Sequence, residues 1–129
     1  MPLRYFGIRV TNLDRSLKFY TEGLGLREES RGKMSHGGVW ISLQDPDTKQ
    51  RLELNYYPPG NKYNTPYTPG EGLDHLGFKV DDARKWIAKL VAMGAKVAVE
   101  TWVEPNGEVI GYVTDPDGNW IEVYSTPPA

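Results

Sequence analysis

The segment DPDGNWIEV, Asp115 to Val123, reads as an edited copy of an earlier one, DPDTKQRLEL, Asp45 to Leu54. Both run from an Asp-Pro-Asp turn into alternating apolar and polar residues, the pattern of a strand with two unlike faces. Each sets one glutamate, Glu53 or Glu122, between two aliphatic residues. The echo extends further. YFGIRV, Tyr5 to Val10, matches HLGFKV, His75 to Val80: a ring, an apolar residue, Gly, an apolar residue, a basic residue, Val. His75 follows Tyr5 by 70 residues and Glu122 follows Glu53 by 69, so the register holds to one residue across half of the chain. Agreement at both ends of a half, in the same order, defines two copies of one module.

Each copy parses alike. TNLDRSLKFYTEGLG offers Asn12 or Asp14 as a helix cap, Leu13, Leu17, Tyr20 and Leu24 as an apolar stripe, and Gly23 near the stop. DDARKWIAKLVAMG offers Asp81 or Asp82, then Ile87, Leu90, Val91 and Met93, with Gly94 just beyond the end. Three strands are predicted after each helix, over 26–32, 38–43 and 51–57 and again over 96–103, 108–114 and 119–124. Asn106-Gly107 is a hairpin signal between two of them. The expected class is therefore α+β, built from two tandem βαβββ modules. Module 1 is expected over 1–57, a linker over 58–72 and module 2 over 73–125, within a single domain spanning 1–129. The connection YPPGNKYNTPYTPGEG is too rich in Pro and Gly for regular sheet.

Composition removes several classes of function. A chain of 129 residues, 39% hydrophobic and 25% charged, is long enough for one buried core. Its net charge of −2 is dispersed without a basic stripe, so no nucleic-acid partner is expected. No apolar run approaches a bilayer span, and MPLRYFGIRV lacks the features of a signal peptide, so no membrane partner and a cytoplasmic location are expected. With no Cys, disulfides, thiolate metal sites and cysteine nucleophiles are excluded together. Any metal must take oxygen and nitrogen ligands.

Strand alternation sorts the side chains by face. Trp120, Glu122 and Tyr124 point one way, Ile121 and Val123 the other. A solvated outer face is the ordinary reading of a strand glutamate, but two large aromatics beside Glu122 suit a lined cleft better. Glu53 shares its face with Arg51, Asn55 and Tyr57, where a solvated face fits equally well; only the repeat raises it. In the opening strands Phe6, Ile8 and Val10, like Leu76, Phe78 and Val80, are expected under the helices. Tyr5, Gly7 and Arg9, like His75, Gly77 and Lys79, take the opposite face. If the modules pack around a pseudo-two-fold axis, Tyr5, Glu53, His75 and Glu122 converge. That cluster, rich in oxygen with one imidazole, suits a divalent cation such as Zn, Ni, Co, Mn or Fe. His36, the other imidazole, has no counterpart in the repeat and is the weaker ligand candidate. DPDGN lacks the further acidic positions of a calcium loop.

The stretches IRVTNLDRSLKFYTEGLGL, RLEL, DHLGFKVDD and DPDGNWIEV together make the chain resemble the glyoxalase/vicinal oxygen chelate superfamily over essentially its whole length. That resemblance implies a curved, half-open mixed sheet with helices on its outer face, around a divalent metal held at the ends of the first and fourth strands of each module. Carried over, the metal positions are Tyr5, Glu53, His75 and Glu122; Tyr5 stands where glyoxalase I-like members usually carry His. Three protein ligands with Tyr5 beside them is the favoured set. The implied activity is that of a lactoylglutathione lyase-like enzyme, shifting a proton next to a chelated carbonyl in a 2-oxoaldehyde hemithioacetal. Glu122 is its leading base and Glu53 the counterpart. Arg9 matches a position associated with a thiol cofactor's carboxylate, Tyr57 stands where such members often carry Asn, and Trp120 lines the substrate cleft. An extradiol dioxygenase would ask for two His and one carboxylate, and this chain offers the reverse. Its aromatic residues also fit a metal-free module that binds or sequesters a small molecule. A small-molecule substrate and a homodimer are the expected partners.

Overall fold

A computed structural model describes residue 1 and residues 3–128. Pro2 and Ala129, inside the expected 1–129 domain, lie outside the described residues. The chain forms two compact units, Met1–Pro66 and Tyr67–Ala129. The first contains β1 (Phe6–Val10), α1 (Leu13–Lys18), β2 (Arg27–Lys33), β3 (Val39–Gln44) and β4 (Arg51–Tyr56). The second contains β5 (Leu76–Lys79), α2 (Ala83–Ala92), β6 (Lys96–Val103), β7 (Val109–Thr114) and β8 (Trp120–Ser125). Each therefore holds one βαβββ module of an α+β fold.

The two four-stranded sheets have the same order, β1-β4-β3-β2 and β5-β8-β7-β6. In each, the first strand runs parallel to the fourth and the other pairs are antiparallel. The parallel pairing sets Gly7 beside Glu53 and Gly77 beside Glu122. Alternation along β8 buries Ile121, Val123 and Ser125 while Trp120, Glu122 and Tyr124 face outward. Ile8, Val10, Ile41, Leu43 and Leu54 carry the core of the first unit, and Ile87, Leu90, Val113, Ile121 and Val123 that of the second. Phe6 departs from the expected apolar row: it is exposed, and the buried part of β1 begins at Ile8.

The helices start where their caps direct. Asn12 accepts a hydrogen bond from the backbone N–H of Arg15 at 3.0 Å, and Asp82 from that of Lys85 at 3.2 Å. Asp81 instead accepts from the Trp86 indole at 2.8 Å. Their apolar faces differ from the predicted stripes. After Lys18 the first helix widens into a π turn over Phe19–Gly23, closed by Leu24 N–H to the Phe19 carbonyl at 3.1 Å. The wider turn brings Phe19 and Tyr20 into the core together, Ser16 is buried as well, and Leu13, Leu17 and Leu24 are left half-buried. The helix ends at Gly23, as expected, and Gly25, φ 79°, follows the Leu24 cap. In α2 the buried row is Ala83, Ile87 and Leu90, while Val91 is 42% exposed. Ile87 lies so close to β7 that a Cβ on Gly111 would meet its Cδ1 at 2.6 Å. Gly111 is the space that lets α2 dock.

The strand-joining turns explain the slip from 70 to 69 in the repeat offset. Asp45 and Asp115 open equivalent turns, but residues 45–50 separate β3 from β4 and residues 115–119 separate β7 from β8. The extra residue lies wholly in the first turn. In the shorter turn Gly118 takes the left-handed conformation, φ 89°; in the longer one Lys49 does, φ 65°. A side chain there strains the backbone by about 1 kcal/mol. Lys49→Gly is accordingly expected to stabilise the protein by about 0.5–1 kcal/mol, partly offset by the greater freedom of the unfolded chain. Urea denaturation checks it, and a lower midpoint in the variant would contradict it.

Candidate functional site

The second unit holds the denser group. Tyr124 and Ser125 end β8, and Val80 N–H bonds to the Tyr124 carbonyl at 2.8 Å, keeping the β5 end against β8. His75 stands immediately before β5, so its ring reaches the β8 face carrying Glu122. Its Nε2 lies 3.4 Å from Glu122 Oε2, and its Nδ1 lies 2.7 Å from Asp74 Oδ2. The Asp74 carboxylate at Nδ1 orients the ring so that Nε2 faces Glu122. The Glu122 side chain is 22% exposed. Tyr112, directly opposite on β7, donates its hydroxyl to Glu122 Oε2 at 2.8 Å. That bond to the carboxylate, with some burial, pushes the Tyr112 hydroxyl up to about 12, so it is a donor at any ordinary pH.

Three rings surround Tyr112. Trp102 stacks on it at 6.1 Å and 16°, Trp120 leans over it at 5.6 Å, and the His75 ring meets it edge-on at 5.5 Å. Trp120 is thus part of an aromatic surface running across β6, β7 and β8 beside Glu122. A Cβ built on Gly77 would meet nothing within 4 Å, so open space adjoins the glutamate.

The first unit is sparser. Glu53 occupies the corresponding place on β4, with Ser42 opposite and Gly7 beside it. Among the described residues its carboxylate accepts no hydrogen bond, and burial alone raises its pKa above the ordinary carboxylate value. The Asn55 amide bonds only the Glu53 backbone carbonyl, at 3.4 Å. A Cβ on Gly7 would meet that amide at 2.8 Å, so this side is closed where Gly77 is open. Tyr5 precedes β1 as His75 precedes β5, and is half exposed. Arg9 donates to the Thr65 carbonyl at 2.7 Å and lies over the Tyr57 ring at 5.4 Å. Tyr57 in turn joins His36 and Tyr63. His36 is held in the β2–β3 turn by the Asn61 amide, which donates to its carbonyl at 2.8 Å. It packs the connection onto the sheet.

Because partial burial raises the Glu53 pKa, folding binds its proton more tightly than the unfolded chain does, and that contribution to stability is lost as pH rises through the raised pKa. Glu53→Gln is therefore expected to raise the melting temperature of metal-free protein at neutral pH, with the gain fading as the solution is acidified below the carboxylate range. Calorimetry across that range tests it, and a gain that persists undiminished in acid would contradict it.

The structure thus brings His75 and Glu122 together, and Arg9 and Tyr57 together; Tyr5 and Glu53 lie in the other unit from His75. Within neither unit do the described residues gather three His, Asp or Glu side chains around one point. The donor chemistry nevertheless fits a borderline divalent ion: neutral imidazole, carboxylate oxygens, and an outer carboxylate on the imidazole's far nitrogen. Tyr112, Asp74 and Trp102 were not singled out in the sequence. Tyr112 was within reach, because antiparallel strands counted outward from the Asp115 turn set it opposite Glu122. Among the described residues no helix is long and apolar enough to cross a membrane.

Each unit repeats one βαβββ module with a glutamate on its fourth strand, which places the chain among proteins built from paired modules of this kind. The chain belongs to the glyoxalase/bleomycin resistance protein/dioxygenase superfamily, whose family model matches residues 3–123. It is 31% identical over 126 residues to a lactoylglutathione lyase of Haemophilus influenzae, covering 95% of this chain and 90% of that protein. It is 33% identical to a probable chloroplastic lactoylglutathione lyase of Arabidopsis thaliana, covering 93% of this chain but spanning only 34% of the plant protein. Among solved structures, the trypanothione-dependent glyoxalase I of Leishmania major aligns with a TM-score of 0.75 at 28% identity, covering 97% of this chain and 87% of that one. A glyoxalase family protein from Bacillus cereus aligns with a TM-score of 0.83 over 98% of this chain and 94% of that one; at 21% identity it speaks for the fold alone.

Proposed function

We propose that this protein is a metal-dependent lyase/isomerase of the glyoxalase I type, moving a proton next to the carbonyl of a 2-oxoaldehyde hemithioacetal or a related substrate. The carrying observation is the His75–Glu122 pair, with Nε2 facing a carboxylate oxygen at 3.4 Å and Nδ1 held by Asp74. Glu53, His75 and Glu122 would hold the ion, Zn, Ni, Co, Mn or Fe, with Tyr5 beside them. When bound, such an ion supplies Lewis-acid polarisation of a carbonyl. Glu122 takes the proton from the carbon beside that carbonyl, and Glu53 is its counterpart from the first module. Trp120 covers the reacting part from water, and Arg9 and Tyr57 are the residues proposed to face the remote, anionic part of the substrate.

The test is elemental analysis of protein reconstituted with each of the five metals, followed by a hemithioacetal assay of the loaded forms. A stoichiometric ion and isomerase turnover are expected; protein that holds none would overturn the reading. Tyr5→His is expected to tighten metal binding about 10-fold by adding an imidazole ligand, and unchanged affinity would remove Tyr5 from the site. The aromatic surface of Trp102, Tyr112 and Trp120 favours a second reading, a metal-free module that binds a small apolar molecule. Ligand binding undiminished by chelator would select it. We also propose homodimerisation: Val97 and Val103 are exposed on the edge strand β6, and a monomer by sedimentation at micromolar concentration would exclude it.

A further inference from the structure

The two modules provide an internal comparison. In each, one residue of the third strand lies directly opposite the glutamate of the fourth: Ser42 opposite Glu53 and Tyr112 opposite Glu122. Only Tyr112 reaches, its hydroxyl 2.8 Å from Glu122 Oε2, while among the described residues the Glu53 carboxylate accepts nothing. The same Oε2 faces His75 Nε2 at 3.4 Å, and Oε1 accepts no hydrogen bond among the described residues.

We infer that Tyr112 is a positioning residue for Glu122: its hydroxyl holds one carboxylate oxygen beside His75 and leaves the other available to the site. A glutamate has three side-chain torsions, and on an open strand face it samples several rotamers. One charge-assisted hydrogen bond from a rigid donor removes most of that freedom. Tyr112 is such a donor, because Trp102 stacks on its ring and His75 and Trp120 fix its edges. The ordering cost of the carboxylate is then met during folding instead of at ligand binding. Glu53, with only Ser42 opposite, has no equivalent restraint. The repeat is symmetric in its backbone and asymmetric here, which assigns the ordered carboxylate to Glu122.

The inference takes its ligands and base from the proposed function, but the positioning itself is a property of the metal-free protein. Tyr112→Phe keeps the ring and its three aromatic contacts and removes only the hydroxyl. A crystal structure of the metal-free variant is expected to show the Glu122 carboxylate withdrawn from His75, and Zn²⁺ titration is expected to show binding weakened about 10-fold or more. With hemithioacetal substrate, kcat should fall while KM changes little. Trp102→Phe, which keeps both the hydroxyl and a ring stacked on Tyr112, should leave the carboxylate in place. A carboxylate still beside His75 in Tyr112→Phe would overturn the inference, as would equal displacement in Trp102→Phe. Should the wild type bind none of the five metals, the proposed function falls, and the carboxylate's position in the two metal-free variants still decides the role of Tyr112.

Discussion

Glu122→Gln is expected to lower turnover by about 10²–10⁴-fold, the range a positioned general base contributes, while weakening metal binding far less. The amide keeps one carbonyl oxygen, which can still accept the Tyr112 hydroxyl or meet a cation, but it cannot take a proton from carbon. Base and ligand therefore come apart in this one substitution. Glu53→Gln should cost less turnover, because Glu53 is the counterpart of the base and not the group that takes the proton from carbon. The measurement is kcat and KM for both variants with a metal titration of each. Equal losses in both variants, or a Glu122→Gln loss fully accounted for by metal affinity, would sink the assignment of Glu122 as base.

Asp115→Ala is expected to destabilise the protein by about 2–4 kcal/mol. Asp115 is 3% exposed, and its carboxylate accepts from Asp117 N–H at 2.9 Å, Asn119 N–H at 2.7 Å and the Asn119 side chain at 3.0 Å. Truncation strands those donors where water reaches them poorly, and each unmet buried group costs about 1–3 kcal/mol. Asp45 opens the equivalent turn but is half exposed and accepts from only Asp47 and Thr48 among the contacts of its turn. Asp45→Ala should cost about 1 kcal/mol or less. Chemical denaturation of the pair gives the comparison. Equal losses would mean that burial is not what makes the second turn matter.

These turns also show what could be read from the chain without coordinates. The repeated Asp-Pro-Asp, the paired glycines and the glutamates at nearly constant offset mark identical modules, and strand pairing then follows because a repeated sequence repeats its ladder. Asn12 and Asp82 are legible as caps because a side-chain oxygen before an apolar run has one effective use. The first helix's inner face was not legible. A regular 3.6-residue period selects Leu13 and Leu17, whereas the π turn rotates the chain and sends Phe19 inward. Nothing in residues 13–24 announces the change of period. Val91 misled for another reason: α2 is only half covered, so an apolar residue on its flank meets solvent. In the site, His75 and Glu122 were found because the repeat points at both. Tyr112 was missed because its counterpart is Ser42, and a search for repeated chemistry passes over the position where the copies differ.

The parallel pairing of β5 with β8 has a consequence for motion. Gly77 and Glu122 are far apart within their module, so their pairing closes a longer connection than the antiparallel pairs of β6, β7 and β8 and is expected to form after them. Closing that long connection carries an entropic cost that hairpins avoid. By the same reasoning, β5 can detach while the three-stranded meander stays folded, in a sub-global opening short of full unfolding. Such an opening would carry His75 away from Glu122 and leave Tyr112 still bonded to it. Amide protons of Phe78 and Val80 should consequently exchange with solvent sooner than those of β7, and an ion bridging His75 and Glu122 would slow that exchange by tying the last strand to close to the one it closes on.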